Sequence, residues 1–220
     1  RPDLKFDILE LSTKMKTPNV EDLIKANRCV QKMQERAVKL VYHKLDISNI
    51  KILLFADASK GNLPNEGSAR GHIVLLWCSR TRKVNVVSWQ SNKVKRVCHA
   101  TIDSETLSMV EGLEDAIYVR AVLSELIHND HRSEVIPIYA YTDNKQLCDN
   151  VHSSHPCKNR RLRIDIAEIE EMLRLGTITK LSHIVGEQMI ADVLTKKHGQ
   201  VDLLLNVLET GCIDHEYLQL

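Results

Sequence analysis

Lys51-Ile52-Leu53-Leu54-Phe55-Ala56-Asp57 is a short apolar run that ends on a carboxylate. A run of this length and character is a buried strand, and a charge at its end needs a partner. The loop Lys60 to Arg70 follows, carrying Gly61, Pro64 and Gly67. Gly71 to Ser79 and Val84 to Gln90 read as two more strands, with Thr81-Arg82-Lys83 as the turn between them. These three strands form an antiparallel meander. A helical pattern with a wide apolar face then runs from about Ile102 to Ile127. Val135 to Tyr141 is a fourth strand, ending at Thr142-Asp143-Asn144, and Lys145 to Val151 a short helix. Residues 159 to 174 make an amphipathic helix, Thr177 to Val185 a fifth strand, and Met189 to Lys197 and Val201 to Leu208 two closing helices. Ahead of the first strand, Pro18-Asn19 caps an amphipathic helix over residues 18 to 38, and Leu40 to Tyr42 is a further strand candidate. The order predicts an α/β fold: a mixed five-stranded sheet, three antiparallel strands followed by parallel crossovers, flanked by helices.

The bulk numbers suit one domain of ordinary size plus an appendage: 220 residues, 43% hydrophobic and 27% charged. Thirty basic against 29 acidic side chains give a net charge of +1. That balance lowers the expectation of a nucleic-acid partner only slightly, because acids gathered in a site offset basic residues elsewhere. No run reaches the roughly 18 apolar residues of a membrane helix, so no membrane partner is expected. The N-terminus Arg1-Pro2-Asp3-Leu4 carries no Met and no signal segment and reads as a cut from a longer chain. The six cysteines show no Cys-x-x-Cys pair and read as free thiols, Cys98 and Cys148 as core residues.

Four acids stand out by position. Asp57 and Asp143 end strands one and four, which converge if those strands are neighbours. Glu105 and Asp192 lie at helix starts, where the macrodipole alone favours acids. Converging carboxylates cannot all stay ionised without cations. Hard divalent ions take such oxygen ligands, and two of them roughly 3.5–4 Å apart hydrolyse phosphodiesters.

Phe55-Ala56-Asp57-Ala58-Ser59, Ser88-Trp89 with the stretch through Lys95, Ile102-Asp103-Ser104-Glu105-Thr106, Thr142-Asp143-Asn144, and Glu187 through Asp192-Val193-Leu194-Thr195-Lys196 together resemble the ribonuclease H domain of copia-type LTR retrotransposon polyproteins. Arg1-Pro2-Asp3 and Leu11-Ser12-Thr13-Lys14-Met15 resemble the end of that family's reverse transcriptase. The resemblance implies a ribonuclease H-like fold over residues 50 to 220, with residues 1 to 49 as a reverse-transcriptase tail and connection tether. It implies hydrolysis of the RNA strand of RNA–DNA hybrids during reverse transcription. The reverse transcriptase of the same polyprotein would be a partner. The location would be the cytoplasm, in virus-like particles, with the nucleus as the alternative. Asp57 would bridge two Mg²⁺ ions, for which Mn²⁺ substitutes. Glu105 and Asp143 would each lean towards one ion, and Asp192 would complete the second site.

Substrate contacts are expected from Ser59, Lys93, Lys95, Arg96, Asn144 and Arg160. Lys93, Lys95 and Arg96, with Arg80, Arg82 and Lys83, are either a phosphate-binding edge or a solvated hairpin face. Lys158, Arg160, Arg161 and Arg163 form a second basic cluster open to the same two readings. Asn144 either contacts a sugar hydroxyl or caps the next helix. Trp89 and His183 read as packed residues, His152 and His155 as solvated ones. Two other functions compete with hybrid cleavage. One is a host-captured or catalytically lapsed nucleic-acid-binding scaffold of the same fold. The other is a nuclease acting on duplex DNA.

Overall fold

The computed structural model describes residues 1–130, 136–153, 157, 159–213 and 218. His155, Lys158 and Val135, named above, lie outside them. The first three strands are β1 (Ile50–Leu63), β2 (Gly67–Cys78) and β3 (Lys83–Lys93). Two more follow, β4 (Ile138–Thr142) and β5 (Lys180–His183). They form one sheet in the order β3-β2-β1-β4-β5. The first three pair antiparallel, and β4 pairs parallel to both β1 and β5. This is the expected mixed five-stranded sheet of a ribonuclease H-like fold, with strands one and four adjacent.

The central position of β1 explains its unbroken apolar run, since both faces are covered. Ile52, Leu54 and Ala56 enter one core with α3 (Thr101–His128) and α5 (Arg160–Arg174). Leu53 and Phe55 enter a second core on the other face, with α6 (Val201–Thr210) and the 3-10 turn Ile190–Leu194. Phe55 stacks on Tyr141 of β4 with ring centroids 5.0 Å apart. Strand alternation therefore turns Asp57 to the second face, towards that turn.

Boundaries differ where tertiary contacts outvote local pattern. β1 and β2 run further into the expected loop, to Leu63 and back from Gly67, with an irregular register between Ser59 and Leu63. In place of the expected helix Met189 to Lys197 there is a 3-10 turn, Ile190–Leu194, preceded by another at Gly186–Gln188. Buried hydroxyls take the carbonyls at its end: Ser91 donates to Leu194 at 2.5 Å and Ser59 to Thr195 at 2.7 Å. The segment also sits close on the sheet, because a Cβ on Gly71 would come within 2.6 Å of the Leu194 Cβ. Leu40 to Tyr42 is not a strand. It is held without a ladder: the Val41 N–H donates to the Leu208 carbonyl at 3.3 Å, and at the next residue but one Asn85 accepts from the His43 N–H at 2.7 Å and donates to its carbonyl at 2.9 Å.

The leader comprises α1 (Lys5–Ser12) and α2 (Val20–Glu35). Asn19 and Asp22 form a reciprocal capping box at the start of α2, at 2.9 and 3.0 Å. The apolar positions of α2 do not face a core as an amphipathic pattern leads one to expect. Val20 is 75% exposed and Leu23 62%, and only Cys29 and Asp22 are buried. Instead α2 is pinned to α1 by ion pairs, Lys25 to Glu10 at 3.0 Å and Lys32 to Asp7 at 2.7 Å. The first residues pack inward: Leu4, Phe6 and Leu9 are buried, and Phe6 and Leu9 cluster with Leu63 and Ala69. No described helix is long and apolar enough to cross a membrane.

Candidate active site

Parallel pairing of β1 with β4 sets Phe55 opposite Tyr141, so the two strands deliver Asp57 and Asp143 to the same end of the sheet. The third acid arrives on α3. Asp103 accepts from the N–H groups of His99 and Ala100 at 2.8 and 3.0 Å and starts that helix. Glu105 follows one turn in. Ser108, one further turn along, donates to the carbonyls of Asp57 at 2.8 Å and Gly71 at 3.0 Å, tying α3 to the strand. Carboxylate oxygens of Asp57, Glu105 and Asp143 lie within 4.8 Å of one another.

Asp192 is not one of that trio. It sits in the Ile190–Leu194 turn, where its Oδ1 pairs with the Lys196 ammonium. Lys196 also lies 3.4 Å from Asp57 Oδ1, so it links the two acids. Asp57 Oδ2 accepts the Thr195 hydroxyl. Thr195 and Lys196 had no role assigned from the sequence. The readable signal was the four-residue spacing from Asp192 to Lys196, which suits a pair along one face of a turn.

Burial is the dominant electrostatic fact here. Asp57 is completely buried, and loss of water pushes its carboxyl up to about 7, against the pull of Lys196 and Thr195. Glu105, 5% exposed, is pushed well above the usual carboxylate range, first by burial and then by the charges of Asp57 and Asp143. For Lys196 burial works against the charge, but the surrounding acids outweigh it and hold the ammonium above its ordinary value. One oxygen, Glu105 Oε2, is buried with no hydrogen-bond partner. A buried, unpartnered oxygen on a carboxylate that converges with two others fits a hard cation that takes oxygen ligands. The absence of His and Cys from the trio argues against a zinc-type centre. Glu105, Asp143 and Lys196 open on a cleft of about 450 Å³, whose other walls include Lys60, Asn62 and Thr101, while Asp57 lies buried behind it.

The expected substrate contacts separate into groups. Ser59 is buried and spends its hydroxyl on the Thr195 carbonyl. Asn144 lines the cleft, but its side-chain oxygen caps α4 (Lys145–Val151), accepting from the Leu147 N–H at 3.0 Å. Arg96 is paired with Asp165 of α5 at 3.0 Å. Lys93, Lys95 and Arg160 are exposed. His183 is exposed rather than packed, its Nε2 lying 3.1 Å from the Asp143 carbonyl. His152 is near the Leu181 carbonyl at 3.3 Å. Trp89 packs against the second core and Cys148 is buried, whereas Cys98 is half-buried.

No protein-family model matches the chain. Among solved structures it is similar to an LC11-RNase H1 isolated from compost by a metagenomic approach, at 16% identity over 70% of this chain and 98% of that one, with a TM-score of 0.48. It is similar to the N-terminal RNase H domain of a Mycobacterium tuberculosis protein, at 15% identity over 70% and 94%, TM-score 0.46. It is also similar to the solution structure of the RNase H domain of PFV, at 14% identity over 74% and 94%, TM-score 0.40.

Proposed function

We propose that the chain is a metal-dependent endoribonuclease that hydrolyses the RNA strand of RNA–DNA hybrids, serving reverse transcription of a copia-type retroelement. The observation that carries this reading is the convergence of Asp57, Glu105 and Asp143 within 4.8 Å, with Glu105 keeping its buried Oε2 unpartnered. These three acids would hold a divalent cation, Mg²⁺ or Mn²⁺, with Asp192 available to a second ion. Such ions, when bound, supply an activated water and stabilise the leaving oxygen of phosphodiester hydrolysis. The protein's own share is positional. β1 and β4 fix Asp57 and Asp143 on rigid strands, Ser108 fixes the pitch of α3, and the completely buried Asp57 keeps water from competing for its oxygens. Lys60, beside the cleft, and the exposed Lys93, Lys95 and Arg160 supply positive charge for the phosphate backbone, which holds substrate without reading its sequence.

Solved relatives of the fold include LC11-RNase H1 in complex with an RNA/DNA hybrid and a foamy viral protease-reverse transcriptase in complex with an RNA/DNA hybrid. In the proposed reading, residues 1 to 49 are the tail of such a polymerase and residues 50 to 220 the nuclease, released or retained within one polyprotein in virus-like particles. A labelled hybrid incubated with Mg²⁺ tests the activity. Cleavage of the RNA strand is expected. Changing an outer-sphere partner already costs roughly 10–100-fold, so Asp57→Asn and Asp143→Asn, which remove direct ligands, should lose more than that. Equal cleavage by the variants would end the proposal. Preference for duplex DNA over hybrid would redirect it to a DNA nuclease of the same fold.

A further inference from the structure

Lys196 raises a question that the acids alone do not. Its ammonium lies against Asp57 Oδ1 at 3.4 Å and against Asp192 Oδ1, in the gap between those two carboxylates. That gap is where a second divalent ion would have to sit to share Asp57 with the first. The side chain is held there from several directions. The Lys196 N–H is bonded to the Asp192 carbonyl at 2.9 Å. The preceding residue, Thr195, is clamped by Ser59 through its carbonyl and to Asp57 through its own hydroxyl. The side chain is 37% exposed, so a route out to the cleft exists.

We propose that Lys196 is a built-in cation that holds the Asp57–Asp192 gap. The centre then binds one divalent ion tightly through Asp57, Glu105 and Asp143. It admits a second, between Asp57 and Asp192, only when Lys196 swings away. An ammonium is a compact point charge of ionic size, and it repels a divalent ion a few ångströms away in a site that water screens poorly. It also satisfies in advance the acid pair that would otherwise recruit that ion. Glu105 Oε2 has no such occupant. Lys196 is thus a positioning residue that sets metal stoichiometry. The inference rests on the metal-centre reading above and deepens it.

Mn²⁺ titration followed by electron paramagnetic resonance counts the ions bound to the wild-type chain, to Lys196→Met and to Lys196→Arg. Wild type should show one tight site and a second at least roughly tenfold weaker, the repulsion of one unit charge at partial screening being worth that much or more. Lys196→Met, which removes the charge and keeps the bulk, should tighten the second site by about tenfold. Lys196→Arg should keep the wild-type pattern. Two equally tight sites in wild type, or no change in Lys196→Met, would overturn the role of Lys196 and leave the metal centre standing. No binding in any of the three would overturn both. Should Lys196→Met fail to fold, crystals of the wild-type chain soaked in rising Mn²⁺ decide. A first anomalous peak at the trio with Lys196 in place, and a second only where its side chain has moved, is the expected series. Two peaks with Lys196 unmoved would reject it.

Discussion

At the scale of single residues, Asp57 shows function and stability pulling apart. Its carboxyl is pushed up to about 7, above the ordinary 3.8, because burial disfavours the charge. A folded-state value above the unfolded one means that the chain takes up a proton on folding between those two pH values. The stabilising contribution is therefore full below the ordinary value and is lost as pH rises through about 7. Glu105 shifts in the same direction and adds to it. Thermal melts of the metal-free protein should fall from pH 5 to pH 8. Saturating Mg²⁺ should restore more at pH 8 than at pH 5, because ligation needs the deprotonated acids. Asp57→Asn keeps an oxygen for the Thr195 hydroxyl and removes the buried charge. It should abolish divalent binding and, without metal at pH 8, leave the protein as stable as wild type or more so, by about 1–2 kcal/mol, seen as a higher midpoint in urea. A large loss of stability would show that Lys196 pairing outweighs the burial of Asp57.

At the scale of elements, the Ile190–Leu194 turn shows where the sequence was legible and where it was not. β1 could be read because a strand covered on both faces writes its burial as one continuous apolar run. That run placed Asp57 at a strand end; that strands one and four are neighbours was only a condition in the sequence, and the β1–β4 pairing meets it. The turn was expected as a helix, because what decides its shape lies far away in the chain: Gly71 of β2, Ser91 of β3 and Ser59 of β1. For Lys196 the local partner Asp192 is legible four residues away, but the link to Asp57 is not, since Asp57 stands 139 positions earlier. For α2 the helix itself was readable from cap and spacing, but not which side meets protein, because periodicity reports amphipathicity and not what covers it. Ser59 now reads as a strut. Ser59→Ala and Ser91→Ala each strand a buried carbonyl and should lower unfolding free energy by about 1–2 kcal/mol in urea titrations, with KM for hybrid unchanged. A raised KM at unchanged stability would put Ser59 back at the substrate.

At the scale of the whole molecule, the leader is packed rather than trailing. Pro2 and Leu4 are buried, and Phe6 and Leu9 cover Leu63 and Ala69. Arg1, Leu4 and Phe6 share a hollow of about 220 Å³ with Val193 and Lys196, so the leader backs the turn that carries Asp192. Deleting residues 1 to 36 uncovers three large apolar side chains' worth of surface. It should cost a few kcal/mol, a drop in melting temperature on the order of 10 °C by calorimetry. Because the turn loses its backing, Mn²⁺ affinity at the second site should change while the trio's does not. If the truncated chain melts and binds metal as the full chain does, the leader is a passive attachment.

The orphaned oxygen of Glu105 and the sunken charge of Asp57 also say something about inheritance. A cluster that is electrostatically costly when empty is a place where chance substitution to a neutral residue is tolerated or rewarded by the fold. Once natural selection for cleavage is relaxed, genetic drift should erase these acids sooner than it erases the apolar strand that carries them. A copy of this sequence in which Leu53 and Phe55 persist but Asp57 or Glu105 has gone would mark a lineage that kept the scaffold and abandoned the chemistry.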